Sequence, residues 1–194
     1  AGELTGEIVQ PCLTRLPWRS VGCGINGVTR TSTLHLLIGP VGAGKTTYGQ
    51  RQAARSVGVF LDLDVWMVRL FGADPRPQDN VIAWYLERRE RCRGLLWDLA
   101  LDVLRGGVDV VPEFGLVTIA DREAFYERAQ AEDLRLVVYL VDAPRDVRRE
   151  RVLRRNKTPS PFSQIVPLEF FERASDIWQP PSDSERAARG IIDV

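Results

Sequence analysis

Apolar residues in this chain fall into two alternating patterns. Short, nearly continuous apolar runs of four to eight residues read as buried strands, and stretches with apolar residues three or four apart read as helices. The first run is 34–38, which is apolar except for His35. A helix is expected from the Gly-rich turn after it to about Val57. Residues 57–62 form the next short strand and end in acids, and 64–71 read as helix with Trp66, Met67 and Leu70 apolar. Residues 72–77, with Gly72, Pro75 and Pro77, are a loop. A long helix over 79–105 is expected to contain a break, with Cys92, Leu95, Leu96, Leu99 and Val103 as its apolar stripe and Gly106-Gly107 as its stop. Residues 108–112 form a third strand, which Pro112 ends because proline cannot donate to a ladder. Thr118-x-x-Asp121 is a capping box for a helix to about Glu132. Residues 134–141, apolar except for Arg135, are the clearest buried strand of the chain and the fourth in order. Pro144 opens a helix over 146–156, residues 158–161 are a loop, 167–178 a helix and 190–194 a closing strand.

Strands alternating with helices point to an α/β fold with a mostly parallel sheet covered on both faces. In such sheets ligands sit beyond the strand C-termini, where Gly39, Asp62, Glu113 and Asp142 fall. Residues 1–32 stand outside this pattern as an extension of unassigned role, and a small hairpin or a cover for one sheet edge would both suit it. Within it, Gly22-Cys23-Gly24-Ile25-Asn26-Gly27 matches G-x-G-x-x-G formally, yet follows no strand and opens no helix, so it reads as a loop. Residues 33–194 read as one domain.

Composition narrows the chemistry. Lys+Arg 26 balances Asp+Glu 26, so no global field favours nucleic acid or a membrane surface. No apolar run approaches the roughly 18 residues that cross a bilayer. The sequence given shows no basic stretch followed by an apolar core, and Cys12, Cys23 and Cys92 lack C-x-x-C spacing. A cytoplasmic protein with reduced thiols is the expectation. The single histidine, His35, lies within the first strand, which argues against a Ser/His/Asp hydrolase or a multi-histidine metal site.

The chemistry centres on Gly39-Pro-Val-Gly-Ala-Gly-Lys-Thr46, a G-x-x-x-x-G-K-[ST] phosphate loop with a strand before it and a helix after it. Glycines at 39, 42 and 44 let backbone N–H groups approach phosphate oxygens, and the helix start adds its unpaired donors. The nucleotide is expected along Gly39, Val41, Gly42, Ala43, Gly44, Lys45, Thr46 and Thr47. Lys45 would reach the β- and γ-phosphates, and the Thr46 hydroxyl would ligate Mg²⁺. Asp64 is the candidate base for an acceptor hydroxyl; Asp62 either joins the Mg²⁺ shell or caps the following helix. Glu113 either holds metal-bound water or is a solvated loop carboxylate. Arg145, Arg148, Arg149, Arg151, Arg154, Arg155 and Lys157 crowd one helix and its exit. A lid over the transferring phosphoryl group, a local nucleic-acid contact and a solvated face are the readings open for it. For a lid, Arg148 and Arg155 share a face. Trp66, Trp84 and Tyr85 form either an acceptor pocket or core packing.

The segments 37–46, 61–67, 110–115, 146–156 and Trp178-Gln-Pro-Pro181 together resemble small bacterial P-loop kinase-like proteins. These are often labelled AAA-domain ATPases and are related to chloramphenicol phosphotransferase, zeta toxins, gluconate kinase and the kinase end of polynucleotide kinases. The resemblance spans about 33–182. It implies a three-layer α/β/α fold with a parallel five-stranded sheet of nucleoside-kinase type, ATP with Mg²⁺ as donor, a base at Asp64 and a lid over about 145–166. It also implies adenine near Pro180, in the Gln-Pro-Pro-Ser loop. The sequence departs from that pattern at Glu113, where Asp is usual, at Pro112, where an apolar residue is usual, and at Thr118-Ile119, which replaces Ser-Arg and removes one phosphate contact. The expected activity is transfer of phosphate from ATP to a small-molecule hydroxyl, Lys45 holding phosphates while Arg148 and Arg155 close over the transferring group. A polynucleotide 5′-hydroxyl kinase, less favoured on charge, and a nucleotide-binding regulatory module are the alternatives.

Overall fold

The computed structural model describes residues 31–158 and 165–194; Cys12, Cys23, the 22–27 glycine run and residues 159–164 of the expected lid lie outside them. Five strands, β1 (Leu34–Ile38), β2 (Val59–Asp62), β3 (Val110–Glu113), β4 (Leu136–Leu140) and β5 (Ile192–Asp193), form one sheet in the order β2-β3-β1-β4-β5. Every pairing is parallel. The helices are α1 (Lys45–Ser56), α2 (Leu63–Phe71), α3 (Val81–Arg105), α4 (Ile119–Ala131), α5 (Arg145–Lys157), α6 (Leu168–Ile177) and α7 (Asp183–Arg189).

The period-two alternation of the strands sorts side chains between two apolar layers. Leu34, Leu36, Ile38, Leu61, Val110, Val138 and Leu140 pack with residues of α2, α3 and α4 on one face. Leu37 and Val111 turn the other way, onto Ala53 of α1 with Tyr48, Phe60 and Tyr139 around them. This is the α/β/α sandwich expected from the alternating pattern. His35 belongs to the α1 face, where Nε2 lies 3.4 Å from Asp109 Oδ2 and Nδ1 lies 3.3 Å from the Tyr139 hydroxyl.

Several expected boundaries shift. Val57 is not in β2: its φ of 53° makes it the left-handed cap of α1. β3 continues through Pro112, which pairs with Leu61. Val110 donates its N–H to Thr33 O on the β1 side, so alternation points the Pro112 nitrogen that way too, beyond the only β1–β3 register pair, Leu34 with Val110. The missing donor therefore breaks no ladder bond. α3 runs unbroken for 25 residues, even though Gly94, at its centre, costs roughly 1 kcal/mol relative to alanine. Its buried residues are Cys92, Leu96, Trp97, Ala100, Leu101 and Leu104, while Leu95 (52%) and Leu99 (36%) are exposed. The rotated stripe takes in Trp97, whose apolar area exceeds a leucine's, together with Ala100, Leu101 and Leu104. α7 was not anticipated. Among the described residues no helix is long and apolar enough to cross a membrane.

Candidate active site

The loop between β1 and α1 lies against the ends of two other elements, and its glycines are required by that contact. Gly39 has φ 145°, and a Cβ there would stand 2.0 Å from Val141 O; at Gly42 (φ 79°) it would stand 2.8 Å from Arg148 O. No L side chain fits either place without moving backbone. Gly44 caps α1 with no side chain to satisfy the first-turn N–H groups, which leaves that helix start as a set of anion donors.

Lys45 and Thr46, at the head of α1, reach towards β3. Lys45 is buried; its Nζ donates to Pro40 O at 2.9 Å and lies 3.5 Å from Glu113 Oε1. Thr46 Oγ1 donates to Glu113 Oε2 at 3.0 Å. Asp62 stands opposite Glu113 in the β2–β3 register, and its Oδ1 caps α2 by accepting from Asp64 N (3.0 Å) and Val65 N (3.2 Å). Asp64, in the first turn of α2, is exposed. The structure thus brings Lys45, Thr46, Asp62, Asp64 and Glu113 to one edge, where β1, β2 and β3 end. Glu113 is not a solvated loop carboxylate: it closes β3, with its side chain 13% exposed.

Burial pushes the Glu113 carboxyl above its ordinary range; Lys45 opposes this, and Asp62 and Asp64 add to it. Burial also raises Asp62, and Asp64 raises it further, while hydrogen bonds from Val65, Asp64 and the Thr46 hydroxyl hold it down. Two acids that resist ionisation beside a hydroxyl form an oxygen donor set suited to a hard cation. Among the described residues no three or more His, Cys, Asp or Glu side chains form a metal site by themselves. A Mg²⁺ here would share its coordination with phosphate oxygens, as this ion commonly does.

The arginines of α5 divide into groups that spacing alone did not separate. Arg148 is buried under the loop, donating from Nε to Ala143 O (2.9 Å) and from Nη1 to Val41 O (3.0 Å) and Ser175 Oγ (3.2 Å). Arg151 donates to Ala43 O at 2.8 Å. Arg145 and Arg149 pair with Glu172 of α6, and Arg145 also pairs with Asp176. Arg155 is exposed and is not brought to the loop in this conformation. Arg151, named from the sequence only as one of seven basic residues, lies one turn from Arg148, and only the helix's phase against the loop singles it out.

Thr47 is exposed on α1, and Pro180 is exposed on the chain between α6 and α7. That segment is pinned beside Pro180. Gln179 N donates to Val117 O (3.0 Å), its Oε1 accepts from Ile119 N (2.8 Å) and its carbonyl accepts from Arg122 Nη1 (2.8 Å). Arg122, fully buried, also binds Glu185 of α7 through Nε (2.6 Å) and Nη2 (2.8 Å), and the Tyr126 hydroxyl donates to the same carboxylate at 3.0 Å. Nothing in the sequence pattern announced this pair. Trp66 and Tyr85 pack against the core, and one face of Trp84 carries the Arg88 guanidinium 4.1 Å above it.

The family model described as "AAA domain" matches residues 34–181. No curated protein matches the chain. Among solved structures, a gluconokinase from Sinorhizobium meliloti 1021 is similar over 85% of this chain and 83% of its own, with TM-score 0.50 and 18% identity. A protein assigned as a kinase, from Chloroflexus aurantiacus j-10-fl, covers 85% of each chain with TM-score 0.62 and 20% identity. A chain of the Pnkp1/Rnl/Hen1 RNA repair complex covers 78% of this chain and 45% of its own, with TM-score 0.56 and 18% identity. At such identities the likeness is one of fold: a P-loop kinase-like sandwich.

Proposed function

The chain belongs to the AAA domain family, and from that premise we propose that it is a Mg²⁺-dependent phosphotransferase that moves the γ-phosphoryl group of ATP to a hydroxyl of a small molecule. The observation that carries this reading is the convergence of Lys45 and Thr46 on Glu113, with Asp62 and Asp64 at the neighbouring strand end. The loop amides from Gly39 to Thr47 hold the phosphates, and Lys45 leaves the Pro40 carbonyl to meet the β- and γ-oxygens. Thr46, Asp62 and Glu113 would hold Mg²⁺ directly or through water, and the ion supplies neutralisation of phosphate charge. Asp64, the exposed acid of the three, orients the acceptor hydroxyl and takes its proton. The acceptor oxygen then bonds to phosphorus, the bond from phosphorus to the β,γ-bridging oxygen breaks, and ADP leaves with that electron pair. Arg151, already at the loop, and Arg155, at the far end of α5, supply positive charge to the transferring group, while Arg148 fixes the loop from beneath. Pro180 borders the adenine. A cytoplasmic setting, where ATP is abundant, suits this reaction.

The test combines calorimetry with an acceptor panel that includes a 5′-hydroxyl oligonucleotide. Lys45→Ala should abolish ATP turnover. Asp64→Asn should bind ATP·Mg²⁺ as the parent does while losing about 10²-fold or more in transfer. Undiminished transfer by Asp64→Asn would remove the base assignment, and labelling of the oligonucleotide alone would replace the small molecule with a polynucleotide.

A further inference from the structure

The face of α3 nearest Asp64 carries Tyr85, Arg89 and Arg93 at intervals of four residues, so the three side chains stack along one side of the helix. Arg89 crosses to the chain leaving β3: Nη2 donates to Gly115 O at 2.6 Å and to Phe114 O at 3.3 Å, directly after Glu113. Among the described residues no carboxylate forms an ion pair with it. Arg93 is 3.2 Å from Glu90 and 3.8 Å from Asp121 through Nη1, while its Nε is buried without a hydrogen-bond partner. Tyr85 lies within electrostatic reach of Asp64 on one side and of both guanidiniums on the other. Arg89 in turn is close enough to Arg93 to weaken its hold on its proton, after burial.

Like charges four residues apart on a helix destabilise it, and among the described residues only Nη2 of Arg89 makes a hydrogen bond. A guanidinium so placed is a receptor for a planar or tetrahedral anion. The need for one follows from the acids: Asp62, Asp64 and Glu113 border the same end of the sheet, and an anion approaching them unescorted would be repelled. A neutral polyol would not need this cation. We propose that the acceptor carries, besides its reacting hydroxyl, a carboxylate or a phosphate, and that Arg89 binds this group with Arg93 reinforcing it. This inference rests on the phosphotransferase reading and specifies its substrate class.

The experiment uses the whole chain with ATP and Mg²⁺ and offers acceptors in matched pairs. These are glycerate against glycerol, gluconate against glucitol, and a nucleoside 3′-phosphate against the nucleoside. ADP release is followed, and binding of each compound is measured by calorimetry beside a non-hydrolysable ATP analogue. The expected result is at least about ten-fold higher kcat/KM, or tighter binding, for the anionic member of a pair. Preference confined to the first two pairs identifies a carboxylate, and preference confined to the third a phosphate. Arg89→Gln should remove about ten- to hundred-fold of that preference by raising KM, and Arg89→Lys should keep part of it. ATP-analogue affinity measured on the same variants separates a lost acceptor contact from a collapsed fold. Equal use of neutral and anionic members overturns the proposal, as does a preference that Arg89→Gln and Arg93→Gln leave intact. Failure to bind any anionic member while ATP·Mg²⁺ binds also overturns it and leaves the nucleotide site standing. Failure of ATP·Mg²⁺ itself to bind strikes the phosphotransferase reading.

Discussion

The carboxylate at position 113 sits between an ammonium, a hydroxyl and two other acids, with little access to water. Its pKa is raised by folding from an ordinary 4.5. The folded protein therefore holds this proton more tightly than the unfolded chain does. The resulting stability is fully present below the ordinary value and is lost as pH rises through the raised one. Removing that cost with Glu113→Gln should flatten the decline in Tm of the nucleotide-free protein between acid and neutral pH. The same change should weaken Mg²⁺-dependent ATP binding by about ten-fold or more, because it removes one hard oxygen charge. A pH–Tm profile for Glu113→Gln that overlays the parent's would show that Glu113 does not carry the strain. Position 113 was legible as a candidate because it follows an apolar run at a strand end. Its burial was not, since a lone acid in a sequence carries no sign of what covers it. The arginines of α5 illustrate the same limit. Arg148 and Arg155 share a face by spacing, but only contact with the loop shows that Arg148 and Arg151 are the pair that touches it.

At the scale of elements, strands and the phosphate loop were readable because burial and phosphate binding both impose strict local patterns. The phase of α3 was not readable. With apolar residues at 92, 95, 96, 97, 99, 100, 101, 103 and 104, more than one stripe is available, and the sheet selects the one bearing Trp97 and Leu101. α7 escaped because it is short and polar, with Glu185 its one buried residue. That glutamate meets Arg122 from α4, two charges excluded from water and joined by two hydrogen bonds. Burial pushes the Glu185 carboxyl up, but the bonds and charge of Arg122 outweigh it and hold the group below its usual range. Its stabilising share is present above the ordinary carboxylate value and is lost as pH falls through the lowered one. Glu185→Ala leaves a buried guanidinium unpaired and should cost about 3–5 kcal/mol in urea unfolding. It should also weaken ATP binding, because Arg122 holds the Gln179 carbonyl beside Pro180. A loss below about 1 kcal/mol would mean that water replaces the partner at little cost.

For the molecule as a whole, Lys45, Thr46, Asp62, Asp64 and Glu113 lie at one edge of a parallel sheet, where strand order reverses around β1. Ligand binding should therefore report on global stability. ATP with Mg²⁺ at about 100 times its Kd should stabilise the fold by about 2.7 kcal/mol, visible as a rise in Tm. Chelating the metal should remove most of that rise. An unchanged Tm under both conditions would deny the loop its nucleotide. Balanced charge over the whole chain predicts little dependence of this shift on monovalent salt beyond screening at the site itself.

The β1–β3 junction has one further consequence. β1 is matched to β4 along five residues but to β3 at one, and the proline in β3 offers β1 no donor two positions beyond that one pair. A residue with an N–H at position 112 would face β1 two positions beyond Val110 and should lengthen the β1–β3 ladder towards the phosphate loop, stiffening the floor of the site without touching any residue that handles phosphate.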